Sequence, residues 1–185
     1  ISRQERRIDQ KEEALDKRTA QMERKEEDLK RRSETVEARL DELEQLMRPR
    51  VIRRHSAAGV RIMDPGSVYI DPRVQVGRGT LLLPGTILRG NTVIGPNCEI
   101  GPNTMLTDCT VEDNVTINAS QCEDSRIEAG CQIGPYTHIR PHCVVGEGSK
   151  IGAFVQLKNC NLGKGTKMAH LTYVGDSDVG DHCNF

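Results

Sequence analysis

Six stretches of the chain share one pattern: VGRGTL (76–81), IGPNCE (94–99), IGPNTM (100–105), IGPYTH (133–138), VGEGSK (145–150) and LGKGTK (162–167). Each begins with an aliphatic residue followed by glycine, and an aliphatic residue returns every six positions. A six-residue repeat of this kind is typical of a parallel β-helix. Each unit supplies one short strand and one corner, three units make one coil, and coils stack about 4.8 Å apart. The pattern therefore predicts a β-helix over residues 70–185.

The aliphatic positions can be followed along most of this region. They recur every six residues from Ile70 to Leu106, and one residue is then missing before Val111 and Ile117. The six-residue spacing resumes from Ile127 to Leu157, and one more residue is missing before Leu162. The phase is unclear over residues 121–126. About six coils fit into residues 70–185, and residues 18 apart are expected to lie one above the other.

Composition agrees with a solenoid and excludes several other classes. Of the 185 residues, 29% are charged and only 3% are aromatic, which does not suit an ordinary layered core. Stacked Val, Ile and Leu need few aromatic residues. The net charge of −1 provides no basic field for nucleic acid. No apolar run approaches the length of about 20 residues that a membrane span needs.

The seven cysteines do not form a recognisable disulfide framework, because the count is odd and no CxxC motif occurs. Cys98, Cys131, Cys143 and Cys183 occupy the fifth position of a hexapeptide. Two interpretations stay open: small residues packed in a tight corner, or metal ligands. The reduced thiols favour a cytoplasmic location.

Residues 1–48 are predicted to form one long helix of about 70 Å. They contain no Gly or Pro, and a seven-residue spacing relates Ile1, Ile8, Leu15, Met22, Leu29, Val36 and Leu43. A strong coiled coil also has an apolar residue four positions after each residue of such a stripe. Here that second position is mostly polar, and only Leu40 and Met47 are apolar. The pattern predicts a weak coiled coil, acting either as a charged spacer or as a partner-binding helix. Pro49 is expected to end the helix, and residues 49–69 to form a connector.

Reactive side chains are concentrated in residues 157–184. Arg140 and Lys158 are 18 apart and are therefore expected to stack. Two stacked cations repel, so the pair indicates either an anion such as a phosphate between them or a solvated surface pair. His170 could act as a general base or be structural. The other histidines, His55, His138, His142 and His182, are interpreted as surface residues.

The segment HLTYVGD (170–176), with LKNCNLGKGTK (157–167) and IGPYTHIRP (133–141) before it, resembles one enzyme family. This family is the bifunctional bacterial N-acetylglucosamine-1-phosphate uridyltransferase/glucosamine-1-phosphate acetyltransferase, of which residues 51–185 resemble the C-terminal acetyltransferase half. The resemblance implies a left-handed parallel β-helix that forms a homotrimer with active sites between subunits. It also implies transfer of acetyl from acetyl-CoA to the amine of glucosamine 1-phosphate, for UDP-N-acetylglucosamine and peptidoglycan synthesis.

The same resemblance assigns roles to five residues. His170 matches the base that deprotonates the sugar ammonium, Arg140 and Lys158 match phosphate ligands, and Tyr173 and Asn184 match further sugar-binding residues. No uridyltransferase activity and no metal site are expected. The coils that would hold acetyl-CoA are expected to lie beyond Asn184, so this chain alone is expected to be inactive.

Residues 7–32 (RIDQKEEALDKRTAQMERKEEDLKRR) resemble instead the coiled coil of ribonuclease Y. Three hypotheses follow for the whole chain. The first is an acetyltransferase domain, the second a non-enzymatic trimeric scaffold with a helical spacer arm, and the third a role in RNA metabolism. The first predicts no membrane or nucleic-acid partner.

Overall fold

The computed structural model describes the backbone of residues 3–185 and the side chains of residues 7, 8 and 10–185. Ile1, the first residue of the predicted apolar stripe, lies outside the described residues. The described chain forms one helix, α1 (Arg3–Ala57), followed by 19 short strands. It divides into two units, residues 1–46 and 47–185. No helix in the described part carries the apolar stretch that a membrane span requires.

The strands are β1 (Arg61–Ile62), β2 (Tyr69–Ile70), β3 (Gln75–Val76), β4 (Leu81–Leu82), β5 (Ile87–Arg89), β6 (Val93–Ile94), β7 (Glu99–Ile100), β8 (Met105–Thr107), β9 (Thr110–Val111), β10 (Thr116–Ile117), β11 (Gln121–Glu123), β12 (Arg126–Ile127), β13 (Gln132–Ile133), β14 (His138–Ile139), β15 (Val144–Val145), β16 (Lys150–Ala153), β17 (Gln156–Leu162), β18 (Lys167–His170) and β19 (Tyr173–Val179). All of their pairings are parallel, and every third strand pairs until the long strand β17 is reached.

Three faces result from this pairing. Face A is the sheet β1-β4-β7-β10-β13-β16-β18. Face B contains β2, β5, β8, β11, β14 and the first half of β17, and face C contains β3, β6, β9, β12, β15 and the second half of β17. Strand β19 follows β17 around the same corner. The predicted hexapeptide-repeat parallel β-helix preceded by one long helix is confirmed.

The aliphatic repeat forms the core of the β-helix. Nearly every predicted position is buried, because one side chain per strand points inward and stacks on its equivalent in the next coil. Val76, near the N-terminal end, is only partly buried. The buried positions are Ile70, Leu82, Leu88, Ile94, Ile100, Leu106, Val111, Ile117, Ile127, Ile133, Ile139, Val145, Ile151, Leu157 and Leu162.

The unclear phase over residues 121–126 has a simple structural origin. Cys122 is fully buried on strand β11 and occupies the core position that an aliphatic residue takes elsewhere. It stacks between Leu106 and Ile139 in register. The repeat therefore continues through this region with a thiol in place of a branched side chain.

Hydroxyl groups at the corners join successive coils. Thr80 is fully buried, and its Oγ1 donates to the carbonyl oxygen of Gly95 at 2.8 Å. Oγ1 of Thr80 also accepts the backbone N–H of Cys98 in the next coil at 3.0 Å. Ser125 makes the equivalent two bonds at the corner between β11 and β12. These bonds satisfy backbone groups that the sharp bend would otherwise leave buried without partners.

The predicted end of the helix at Pro49 is wrong, since α1 continues through this proline to Ala57. A proline inside a helix costs about 3 kcal/mol, because it removes one hydrogen bond and crowds the preceding turn. Packing offsets this cost, because Val51 and Ile52 are buried in the same core as the first coil. The predicted connector 49–69 therefore contains the last helical turns, strand β1 and the start of a seventh coil. The division of the chain at residue 48 stays a proposal.

The last helical turns cover the first coil of the β-helix. The guanidinium of Arg48 donates to the carbonyl oxygens of Gly66 and Val68. Arg54 donates to the carbonyl oxygens of Pro72, at 2.9 Å, and Val74, at 3.4 Å. These carbonyl groups belong to the first coil, so no preceding coil donates N–H groups to them. Arginine side chains donate to them instead.

His55 lies under this cover and is buried, contrary to its interpretation as a surface residue. Burial, and next the neighbouring Arg54, hold its pKa below the ordinary 6.5. The folded chain therefore binds fewer protons at this site than the unfolded chain does. The contribution of the neutral His55 ring to the free energy of unfolding is fully present above the pKa of the unfolded chain. It is lost as the pH falls through the lowered pKa of the folded chain.

We expect the free energy of unfolding to fall as the pH drops below about 6.5, and His55→Gln to remove part of that fall. Urea unfolding followed by circular dichroism on both sides of that pH measures it. His182→Gln, at an exposed histidine, is the control. Equal pH dependence in wild type and His55→Gln would contradict the assignment.

Candidate functional site

Face B brings the two predicted phosphate ligands together. Ile139 pairs with Leu157, and the backbone N–H of Arg140 donates to the carbonyl oxygen of Leu157 at 2.8 Å. Arg140 and Lys158 therefore follow each other in one column, as their spacing predicts. Both are half-buried, and neither has an ion-pair partner within 4.0 Å among the described side chains. Two stacked cations without a carboxylate can hold an anion between them.

Tyr173 lies against the same column. It pairs in register with Gln156, and Lys158 pairs with Gly175. A Cβ atom placed on Gly175 would collide with the Tyr173 hydroxyl. The phenol therefore lies over Gly175, which is the neighbour of Lys158 in the next coil. The ring is 58% exposed. The hydroxyl is thus available as a donor or acceptor beside the two cations.

His138 also belongs to this face, although its sequence context did not single it out. It is two residues before Arg140, and alternate residues of a strand share a face. Its Nε2 atom is buried, forms no hydrogen bond among the described residues and lies 3.9 Å from Oε1 of Glu123. The signal that could have identified it is this spacing of two from a predicted ligand.

His170 and Asn184 lie elsewhere, on face A. His170 is the last residue of β18 and pairs with Ala153. Its imidazole is exposed and makes no hydrogen bond to the described residues. Asn184 pairs with Lys167, which in turn pairs with Lys150. A groove of about 340 Å³ runs along this column, lined by Gln132, Gly134, Lys150, Ile151, Gly152, Lys167, Met168, Ala169 and Asn184.

The five predicted site residues therefore form two groups in one chain. Arg140, Lys158 and Tyr173 lie on face B, whereas His170 is at the corner between faces A and B and Asn184 is on face A. His170 and the end of the face B column are separated by the five residues to Gly175, a span of at most about 16 Å.

The four cysteines at the fifth hexapeptide position lie at corners, as one of the two interpretations expects. Cys98, Cys131 and Cys143 are buried and Cys183 is half-buried. The Cys160 thiol donates to the sulfur of Cys143 at 3.7 Å, which lowers the pKa of Cys143 to about 7 and raises that of Cys160. Among the described side chains no group of three or more His, Cys, Asp or Glu could hold a metal ion.

Comparison with known proteins finds relatives of the β-helical segment. Residues 73–108 and 124–159 match the model of the bacterial transferase hexapeptide, six repeats. The chain is 41% identical over 145 residues to the bifunctional protein GlmU of Mycolicibacterium smegmatis, covering 78% of this chain and 30% of that protein. It is 44% identical over 145 residues to the GlmU of Mycobacterium marinum, with the same two shares.

A solved structure shows the same fold. A UDP-N-acetylglucosamine acyltransferase from Bacteroides fragilis superposes with a TM-score of 0.56 at 16% identity, covering 66% of this chain and 67% of that one. At this identity the likeness concerns the fold alone. The chain spans about 30% of the length of the curated relatives that it matches. The β-helical segment thus matches the bacterial transferase hexapeptide over residues 73–108 and 124–159 and is related in sequence to the C-terminal region of the bifunctional protein GlmU.

Proposed function

We propose that the β-helical segment transfers an acetyl group from acetyl-CoA to the amine of glucosamine 1-phosphate. The observation that carries the proposal is the column of Arg140 and Lys158, two cations without a carboxylate partner, with the Tyr173 hydroxyl beside them. A phosphate monoester has the charge and the acceptor oxygens that such a column binds. The sequence relation to GlmU supports the same substrate class.

The other half of the site would come from a second copy of the chain. Because His170 and Asn184 lie off the face that holds the cations, face A of one copy facing face B of the next would bring the two groups together. A homotrimer of parallel β-helices provides three such junctions, each heterologous and closed by the threefold rotation.

The proposed chemistry needs one proton acceptor and no covalent intermediate. The exposed imidazole of His170 takes a proton from the sugar ammonium, and the free amine attacks the thioester carbonyl of acetyl-CoA. The C–N bond forms, the C–S bond breaks, and the thiolate of coenzyme A leaves and takes up the second proton that the attacking nitrogen loses, so His170 is the one proton acceptor that the chain supplies. Hydrogen-bond donors near the carbonyl would stabilise the developing oxyanion.

Isothermal titration of glucosamine 1-phosphate into this chain tests the acceptor site. We expect saturable binding, and Lys158→Ala should weaken it about 10- to 150-fold, since a hydrogen bond to a charged group contributes about 1.5–3 kcal/mol. Lys164→Ala is the control, because Lys164 is an exposed lysine that already pairs with Glu147 at 3.0 Å.

Two outcomes would overturn the proposal. Equal affinity in wild type and Lys158→Ala would show that the column does not bind the phosphate. A folded chain that takes up no sugar phosphate would favour the non-enzymatic scaffold with a helical arm.

A further inference from the structure

The N-terminal helix exposes a complete apolar stripe. Six described residues with strict seven-residue spacing are each between 55% and 66% exposed, namely Ile8, Leu15, Met22, Leu29, Val36 and Leu43. A straight α-helix drifts about 20° per seven residues, so a stripe kept at this period suits a left-handed supercoil of two or more helices. The stripe is thus a surface that a helical partner would cover.

The charges beside the stripe have a definite arrangement. With the stripe placed at heptad position d from Ile8 onward, position g is basic at its first five places, Lys11, Arg18, Lys25, Arg32 and Arg39, and is apolar at Leu46. Position e is acidic at five of six places: Asp9, Asp16, Glu23, Lys30, Glu37 and Glu44. Each side of the stripe therefore carries a column of one dominant sign.

This arrangement favours one orientation of two identical helices. In a parallel pair, each g residue faces the e residue five positions later on the other helix. Of the five such contacts, four join opposite charges, as in Arg18 with Glu23, and only Lys25 with Lys30 joins like charges. In an antiparallel pair g faces g and e faces e, so basic would meet basic and acidic would meet acidic.

The charged columns are not occupied by ion pairs within the chain. The ion pairs of the helix, Glu13 with Lys17 at 2.6 Å and Asp28 with Arg31 at 2.8 Å, lie at the outer positions b, c and f. Among the described side chains, no residue of position g or e forms an ion pair within 4.0 Å. The one side-chain hydrogen bond of the described residues in these two columns is that of Glu37, which accepts from Ser33 at 3.3 Å. The described charges of both columns can therefore still form ion pairs with another helix.

The residues at heptad position a predict that the contact between helices becomes stronger toward the C-terminal end of the segment. Position a holds Glu12, Thr19, Glu26 and Ser33, and then Leu40. Apolar residues at both a and d exclude water from the seam, whereas polar residues at a weaken it and help to set register. The seam is therefore closed best near Leu40 and more loosely toward the N-terminus.

We propose that residues 8–46 pair with the same segment of a second copy of this chain, parallel and in register. The occupant is a second copy because the two charged columns are complementary to each other. The proposal rests on the helix alone and does not depend on the proposed acetyl transfer.

Oxidative cross-linking of the full chain tests it, in a Cys183→Ser background that removes the half-exposed thiol. Met22→Cys, at position d, should give a disulfide-linked dimer when diamide oxidises the two thiols. Arg24→Cys, at the outer position f of the same turn, is the matched control and should stay monomeric on denaturing gels.

Charge reversal separates this contact from association through the β-helix. Arg18→Glu with Arg39→Glu should reduce the Met22→Cys cross-link to the level of the Arg24→Cys control. Adding Glu23→Lys and Glu44→Lys should restore it, because the two columns then attract again with their signs exchanged. Equal cross-linking of Met22→Cys and Arg24→Cys, or a cross-link that charge reversal leaves unchanged, would overturn the proposal.

Discussion

Replacing His170 by alanine should lower the rate of acetyl transfer about 10²- to 10⁴-fold, the contribution usual for a positioned general base. The imidazole is exposed and makes no hydrogen bond to the described residues, so its removal should leave the fold unchanged. The measurement is release of the coenzyme A thiol, with glucosamine 1-phosphate as the acceptor. The suitable background is the Mycolicibacterium smegmatis relative carrying this segment in place of its matching 145 residues.

His142→Ala is the matched control for this experiment. His142 is an exposed histidine of the same β-helix, paired with Asp124 at 3.0 Å and not placed in the site. Its removal should leave turnover near wild type. Turnover of His170→Ala at the rate of His142→Ala would show that another group accepts the proton.

Replacing Gly134 by alanine should destabilise the β-helix by about 2–5 kcal/mol, which combines left-handed backbone strain with overpacking. Gly134 has φ of +99°, and a Cβ there would collide with the carbonyl oxygen of Asn118. That oxygen belongs to the backbone of the preceding coil and cannot move without separating the coils. Urea unfolding followed by circular dichroism measures the loss.

Gly148→Ala separates the two causes. Gly148 also has positive φ, +69°, but a Cβ there would meet nothing within 4 Å. Only the backbone penalty of about 1–2 kcal/mol should remain. Equal destabilisation by the two substitutions would mean that close approach of the coils contributes nothing.

The β-helix was predictable because its stabilising interactions are local and periodic. One aliphatic side chain per six residues is buried in every coil, so the period is visible without any knowledge of long-range contacts. The same regularity made the stacking of Arg140 on Lys158 predictable from a difference of 18. Their roles, and those of His170, Tyr173 and Asn184, stay proposals until binding and turnover are measured.

Other features depend on contacts that no local pattern displays. Pro49 looks like a helix end, but burial of Val51 and Ile52 against the first coil holds the helix together. Cys122 interrupts the aliphatic pattern because a thiol fills a core position as a small apolar group. The separation of His170 from Lys158 follows from the different faces of their strands, β18 on face A and β17 on face B, and this needs the strand boundaries within that coil.

The arginines at the start of the β-helix bear on how such proteins avoid forming fibres. Within the stack, Thr86 and Thr92 offer their carbonyl oxygens to the N–H groups of Tyr69 and Gln75 in the coil before. Val68 and Val74 are the first-coil counterparts, and a neighbouring molecule could dock its strands there and begin a cross-β polymer. Arg48 already donates to the carbonyl oxygen of Val68, and Arg54 to that of Val74. Because that edge is blocked within the molecule, end-to-end growth from it would first have to displace two guanidinium groups.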